Sequence, residues 1–442
     1  MIKKSKVILL AAVLVLAFAQ VAFPALRAVG PVIPDADGNP LTAPWAPPFA
    51  LGAPTGFNGF PVWYRDSLGQ TVILAPQDPL TIWDPVINGN AFSAQIQWGS
   101  EAMYWTGDAS IPTPLGGDPV GGSADLIMAL EAAFATGDAA PGEQIVFARI
   151  RIRIDTDIAG PYTVYHPYGV NTFTVDQANT GTRAINSTVD VGIGAQGVFT
   201  GALKGDIGPF LRQVNGAPAG YLGDGTFGPV TGSPVPSLLH PSGFQNFFRV
   251  EGPPGFATLH TTDIAVTGKL FTGVPFTISR TTFTRAANNF AEVFVNLTTP
   301  IPAGVAFTAN LPGQAPQPLS RVGANVFGRF QFPNALPAQV TVTGTATGKT
   351  PTSQQSNLVD VIIINQATYS VANRTLTIAA TSTDSLAALR GFGWVGATAA
   401  GQQLAGPAGQ LGVFNNVNVA PETITVKSAL GGSESVKTVI LP

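Results

Sequence analysis

The chain has 442 residues, a formal net charge of −3, only 11% charged residues and no cysteine. The missing cysteines exclude disulfides, thiolate zinc sites, cysteine nucleophiles and thioether haem attachment. The lack of any basic run argues against a nucleic-acid partner. The length allows about two to four domains of 100–200 residues, and an apolar content of 45% supplies sizeable cores. The 50 glycines and 38 prolines fall short of the fraction that marks disorder. Long apolar runs between them predict a turn-rich, folded, all-β chain of several sandwiches.

The N-terminus reads as an export signal. A basic head, MIKKSK, precedes an unbroken apolar run from Val7 to Ala19, and Ala17-Phe18-Ala19 fits the small-residue cleavage pattern. Residues 1–28 are therefore expected to be a signal peptide cut after Ala19 or Ala28, the alternative being a short uncleaved anchor. Cleavage after Ala19 would leave 19 basic residues against 25 acidic ones, a net charge of −6. The expected location is extracytoplasmic: periplasm, cell surface or medium. No membrane contact is expected after cleavage.

Residues 29–57 form a Pro/Gly-rich lead-in. Within it Asp35, Asp37 and Asn39 alternate like the oxygen ligands of a calcium loop, although Pro40 stands where such a loop needs glycine. Calcium there is the leading metal expectation, against the reading of a plain polar turn; Asp155 and Asp157 are a lesser calcium candidate, and no other cofactor is expected. Residues 58–272 read as an N-terminal β unit, with an alternative boundary near residue 180. It opens on Phe60–Asp66, FPVWYRD, followed by a turn at 66–69 and a return strand, a hairpin. Strict alternation puts Phe60, Val62 and Tyr64 on a core face and Trp63 and Arg65 on a face whose neighbour the sequence does not name.

Five of the six tryptophans lie between residues 45 and 105. Exposed indoles stack on sugars and seat cations. Trp63, Tyr64, Arg65, Trp83, Trp98 and Trp105 are therefore candidate ligand-binding residues, against the reading that they fill a Gly-rich core. Ser123 to Gly137 predicts the unit's one short helix: Ser123 suits a cap, and Leu126, Ile127, Leu130 and Phe134 share a helical face. In the strand that follows, Ile150, Ile152 and Ile154 alternate with Arg149, Arg151 and Arg153, an arginine row on a wet face that Asp155 and Asp157 are placed to pair.

Of the three histidines, His166 in the turn YHPYG is flagged as a candidate acid–base group; His240 and His260 are read as structural. No G-x-S-x-G elbow supports a serine triad. Carboxylates such as Asp66, Glu101, Asp155 and Glu251 are scattered, and sequence brings no glycosidase pair together. The sequons at Asn186, Asn296 and Asn373 read as accidental.

The C-terminal half repeats itself. Ile278–Phe283 matches Ile364–Tyr369 at an offset of 86, and the block Gly328 to Val342 matches Gly412 to Val426 at an offset of 84. Each copy is rich in Val, Ile, Thr and Phe with turn signals at short intervals, the pattern of a small Greek-key sandwich. The predicted boundaries are 273–357 and 358–442.

On the opening hairpin ATYSVANRTLTIAATSTD (367–384), the repeats resemble immunoglobulin-like modules of secreted bacterial proteins. The first copy has one extra hairpin residue and lacks the aspartate. FPVWYRDSLGQ, YHPYG, GPFL, NFFRVEGP and VTGKL are similar to a recurring, uncharacterised β-rich architecture of secreted bacterial proteins; that resemblance implies location and β architecture and no activity. Cysteines expected near the first hairpin of such proteins are absent here.

The function expected from all this is structural or adhesive, at the cell surface or secreted, without catalysis. The alternatives are carbohydrate or ligand binding by the 45–105 aromatics, and a secreted hydrolase with accessory β modules. The expected partner class is an extracellular polymer or protein, and pairing of the last strand with a neighbouring chain is the expected route to self-association.

Overall fold

In the computed structural model, residues 26–32, 59–285, 289–298, 300–332, 335–398, 401–405 and 410–442 are described. The chain is nearly all antiparallel β-structure in seven sheets, as its patterning predicts. Residues 1–25 of the expected signal peptide and the candidate ligands Asp35, Asp37 and Asn39 lie outside the described residues, whereas Leu26 and Ala28, at the end of that expected segment, pair with Asp66 and Arg65 in a strand.

The N-terminal region is built on one seven-stranded sheet. Its order is Arg212–Gln213, Phe227–Thr231, Asp263–Thr267, Glu101–Leu115, Asp118–Phe134, Gln144–Thr156 and Gly181–Val191. A four-stranded sheet of Leu259–Thr261, Phe248–Glu251, Gly160–His166 and Gly169–Val175 accompanies it. A second one holds Leu26–Val29, Trp63–Asp66, Thr71–Ile73 and Lys269–Leu270. The large sheet takes strands from both sides of residue 180, and a single buried cluster runs from Leu26 to Val266. Residue 180 is not a seam.

The helix expected at 123–137 is a strand. Asp118–Phe134 lies in the middle of the large sheet, paired along most of its length with Glu101–Leu115 on one side and Gln144–Thr156 on the other. Its Ala, Leu, Met and Glu residues favour a helix locally. Burial explains the outcome. Leu126, Met128, Leu130, Ala132 and Phe134 are buried at a spacing of two, and Ala129, Glu131 and Ala133 are covered on the opposite face. A strand buried on both faces shows no clean alternation, and its ladder partners override propensity. The short helix is Ala91–Ile96 instead, with the Asn90 side chain accepting from the Ser93 amide at 2.9 Å.

Two sandwiches follow, each with its own core. The first pairs the sheet Ser320–Val322, Asn325–Gln331, Phe290–Asn296, Thr277–Thr284, Val359–Asp360 with the sheet Gln317–Pro318, Ala306–Asn310, Gln339–Thr345, Thr352–Asn357. The second pairs Leu411–Phe414, Thr375–Ser382, Ile362–Ser370, Val439–Leu441 with Gln402–Gln403, Leu389–Phe392, Thr423–Ser428, Ser433–Lys437. The sequence repeat is a repeat of geometry. The opening strands carry a bulge at equivalent places, Ile278/Arg280 and Ile364/Gln366, and each sandwich closes with a short parallel strand on that opening strand. In the first sandwich this strand reaches Asp360, beyond the expected boundary at 357.

Almost no linker separates the sandwiches. Val359–Asp360 closes one and Ile362 starts the next. Arg285 makes a two-pronged ion pair with Asp384, Nε to Oδ1 at 2.8 Å and Nη2 to Oδ2 at 2.7 Å. Thr383 Oγ1 donates to the Phe283 carbonyl at 2.6 Å. The buried Asp360 accepts from the Ser382 and Ser428 hydroxyls and from the Gly432 amide at 3.0 Å. Removing Arg285 strands Asp384, whose side chain is only 1% exposed. Arg285→Ala is expected to weaken this junction by about 1–3 kcal/mol. Scanning calorimetry should then resolve separate transitions for two sandwiches that melt together in the parent.

Candidate functional site

The hairpin at Phe60–Asp66 is wholly interior; every residue in it is buried. Phe60 packs on Trp98 (ring centroids 5.3 Å apart) and Phe134 (5.5 Å), and Tyr64 lies edge-on to Tyr104 at 5.0 Å. Val62, expected beside them, instead joins Trp63 and Phe271 in a small cluster against Ala28 and Ile73; the regular strand begins only at Trp63, after Pro61. Trp63 lies flat on Gly30, where a Cβ would stand 2.8 Å from the indole. The undecided face of the hairpin is therefore covered by protein.

The expected aromatic binding face is a core. Trp63, Tyr64, Trp98 and Trp105 are at most 2% exposed and Arg65 only 4%; Trp83 is half-buried at the rim, bridged to Ala102. The physical reason is a shortage of bulk in Gly/Ala-rich sheets, which the large rings supply. Trp98 Nε1 is buried with no hydrogen-bond partner among the described residues, but other ring tips are satisfied inside. Tyr64 Oη donates to the Phe199 carbonyl (3.0 Å), Tyr168 Oη to Pro209 (2.8 Å), Trp105 Nε1 to Leu211 (3.1 Å) and Tyr104 Oη to Pro61 (2.5 Å). Three of the four acceptors lie within the irregular segment 199–211, so the rings hold that segment in place.

Arg65 and Asp66 point to different partners. The Asp66 carboxylate accepts four hydrogen bonds: Oδ1 from the Leu68 and Gln70 amides (2.9 and 2.8 Å), Oδ2 from Gln70 Nε2 (3.0 Å) and the Phe210 amide (2.9 Å). Burial pushes its pKa up and these donors pull it back. The Arg65 guanidinium reaches into the first sandwich: Nη1 donates to the Thr298 carbonyl at 3.0 Å and Nη2 to the Pro300 carbonyl. Gly69 makes room for this. Its φ is +85°, and a Cβ there would lie 2.6 Å from Pro300.

His166 is a buried, neutral turn residue. Its Nε2–H donates to Asn171 Oδ1 at 2.8 Å, its Nδ1 accepts from the Tyr168 amide at 3.3 Å, and desolvation lowers its pKa to about 4. Both nitrogens are engaged within the turn. His240 bonds Ser242 Oγ at 2.7 Å on an exposed loop and, with His260, flanks the buried Phe247 ring.

Of the arginine row, Arg149 meets acids that sequence spacing did not identify, while Arg151 Nε donates to Thr188 Oγ1 at 3.1 Å. Arg149 takes Asp190 with Nε and Nη2 (2.8 and 2.9 Å) and Glu131 with Nη1 (2.9 Å), joining three adjacent strands. Glu131 is buried, so its carboxyl is held well above the usual range; Arg149 opposes that and nearby Glu101 adds to it. Asp155 and Asp157, expected to pair the arginines, instead accept backbone amides of Ser123, Arg183 and Gly116. Their own strand's hairpin neighbours outcompete solvated guanidiniums. Among the described residues no three His, Cys, Asp or Glu side chains converge on a metal position. The cavities lined by Ser279, Arg280, Phe294 and Phe327 (about 250 Å³) and by Val86, Asn90 and Ala94 (about 330 Å³) lie away from this cluster.

No protein-family profile and no curated protein matches the chain. Several solved structures are similar in part, three of them as follows. One is from a study of a 1.5-MDa bacterial ice-binding adhesin (13% identity, 67% of this chain and 91% of that one, TM-score 0.15). Another is Tp47, the 47-kilodalton lipoprotein of Treponema pallidum (12%, 64% and 86%, TM-score 0.18). The third is a polysaccharide lyase (10%, 66% and 44%, TM-score 0.18). At TM-scores this low none of them bears on what the chain does. No helix among the described residues is long and apolar enough to cross a membrane.

Asp108 offers a test of the sheet's polar face. It stands between Ile127 and Ala265. Its Oδ1 has no hydrogen-bond partner among the described residues, and burial raises its pKa from 3.8 to about 7. Folding thus favours the protonated form. The stability it contributes is full below pH ~4 and is lost as pH rises towards ~7. Asp108→Asn should match the parent at pH 4 and exceed it by about 1–3 kcal/mol at pH 8 in urea titrations. A variant that is less stable at pH 8 would show an ionised, paired carboxylate instead.

Proposed function

We propose that the chain is an extracytoplasmic structural protein without catalysis, in which an N-terminal β unit is presented on two tandem sandwiches at, or released from, a cell surface. The single observation that supports this most is the pair of short, hydrogen-bonded junctions. Arg65 bonds two carbonyls of the first sandwich, and Arg285 with Asp360 and Asp384 ties the first sandwich to the second. Such junctions transmit force and fix orientation, which a presenting or adhesive protein needs. Further support comes from the sequence's export signal and low charge, and from the internal engagement of the polar groups of Tyr64, Trp105, Tyr168 and His166.

The test combines location with mechanics. The chain should be recovered outside the cytoplasm with its N-terminus after residue 19 or 28. Arg65→Ala should leave β content intact, lower the stability of the first junction by about 1–3 kcal/mol, and broaden the small-angle scattering profile relative to the parent. Cytoplasmic recovery, or turnover of a polysaccharide by the purified parent, would overturn the reading.

A further inference from the structure

The first sandwich carries a cavity of about 250 Å³ on its outer face. Strand register builds it. Val293, Val295 and Val326 turn inward to the core, so Phe294, Asn296, Asn325 and Phe327 turn outward. Arg280 stands opposite Phe294, and Phe294 opposite Phe327, in one row across three strands. Asn296 stands opposite Asn325 in the flanking row. Ser279 completes the lining.

Each group is presented for contact. Phe327 is 44% exposed. The Arg280 guanidinium lies over the Phe294 ring at 4.2 Å, which holds its fork in place. Among the described residues Arg280 has no acidic partner, and the amides of Asn296 and Asn325 have no hydrogen-bond partner. The nearby acid on this face, Glu292, is turned to Arg329 at 3.7 Å.

The second sandwich is an internal control. The bulges Ile278/Arg280 and Ile364/Gln366 coincide. Gln366 therefore takes the place of Arg280, Ala379 that of Phe294 and Leu411 that of Phe327. The four strands of that sheet contain no Asp, Glu, Lys, Arg or His. The same fold forms without the guanidinium and without the two rings, so folding does not require them at these places.

We propose that this cavity binds an acidic sugar unit of an extracellular polysaccharide. The lining selects that chemistry. A wholly apolar ligand would leave a guanidinium and two amides without partners. An inorganic anion would leave the rings unused. A uronic-acid ring uses all of them: its carboxylate takes the Arg280 fork, its C–H face lies on Phe327, and its hydroxyls meet amides that both donate and accept. The volume is below the ~300–1,000 Å³ of pockets for drug-sized ligands, which suits a sugar ring. Such an open site leaves much of the ligand wet, so Kd is on the order of 100 μM. This inference gives the proposed surface role a partner and rests on it for where chain and polymer meet. Binding by the purified chain is measured without reference to location, so the two readings fail separately.

The test is titration calorimetry of the full chain with trisaccharides of galacturonate, glucuronate and mannuronate, with neutral galactotriose and with poly-L-glutamate. One or more of the acidic trisaccharides should bind, and galactotriose about tenfold more weakly or not at all. Arg280→Gln and Phe327→Leu install the residues of the second sandwich, so both should keep the parent's melting curve. The first should weaken binding about tenfold and the second about threefold. Gln366→Ala in the second sandwich should change nothing. Absence of binding by every acidic trisaccharide up to about 5 mM overturns the proposal. So does binding that survives both Arg280→Gln and Phe327→Leu. Binding of poly-L-glutamate as tight per carboxylate as that of the sugars also overturns it, because the face would then read charge alone.

Discussion

The architecture depends on what two adjacent residues do with their charges. Asp66 is buried, yet it accepts four hydrogen bonds that close the Phe60–Ile73 hairpin and fasten it to Phe210. Its neighbour Arg65 faces the other way in the strand and reaches into the first sandwich, where it bonds the Thr298 and Pro300 carbonyls. A buried carboxylate is tolerated when its lone pairs are filled, and a guanidinium suits two carbonyls that point at one place. One dipeptide thus fixes the hairpin to its own core and to the next module.

Around that point the aromatics act as scaffolding. A chain poor in disulfides and in charge has few ways to hold an irregular segment such as 199–211. Tyr64, Trp105 and Tyr168 do it by donating from inside the core to its carbonyls. Each ring contributes apolar area, and its polar tip satisfies a backbone group that would otherwise be orphaned. The same economy recurs at the second junction, where Asp360 gathers two hydroxyls and an amide. Polar atoms are spent at seams and apolar mass in cores, leaving surfaces such as the outer face of the second sandwich free of charge.

Much of this was legible in the sequence because it was local or periodic. The hairpin turn at 66–69, the burial of Phe60, Val62 and Tyr64, and the tandem repeat all have signatures within a few residues or at a constant offset. What was hidden is non-local. Arg65 meets partners 233 and 235 residues away, and no spacing rule points there. Ser123 to Gly137 reads as a helix because Leu126, Leu130 and Phe134 fit one face, but both faces of that segment are buried in a sheet, so the period that distinguishes strand from helix is erased. The tryptophan cluster was visible, but its burial was not, since crowding of rings is equally compatible with a binding face. Asp155 and Asp157 were assigned to neighbouring arginines by proximity along the chain, whereas the hairpin tips they close lie nearer in space. Glu131 and Asp190, the true partners of Arg149, sit on the adjacent strands and acquire meaning only with the register.

The central claim is that the Arg65 contact fixes the first sandwich rigidly to the N-terminal unit. The absence of native cysteine allows spin labels to be placed without interference, at Gln177→Cys in the N-terminal unit and Lys349→Cys in the first sandwich, both exposed positions. Pulsed electron-resonance distances between them should give one narrow population in the parent and a broadened one with Arg65→Ala. A broad distribution in the parent, unchanged by the substitution, would contradict the account.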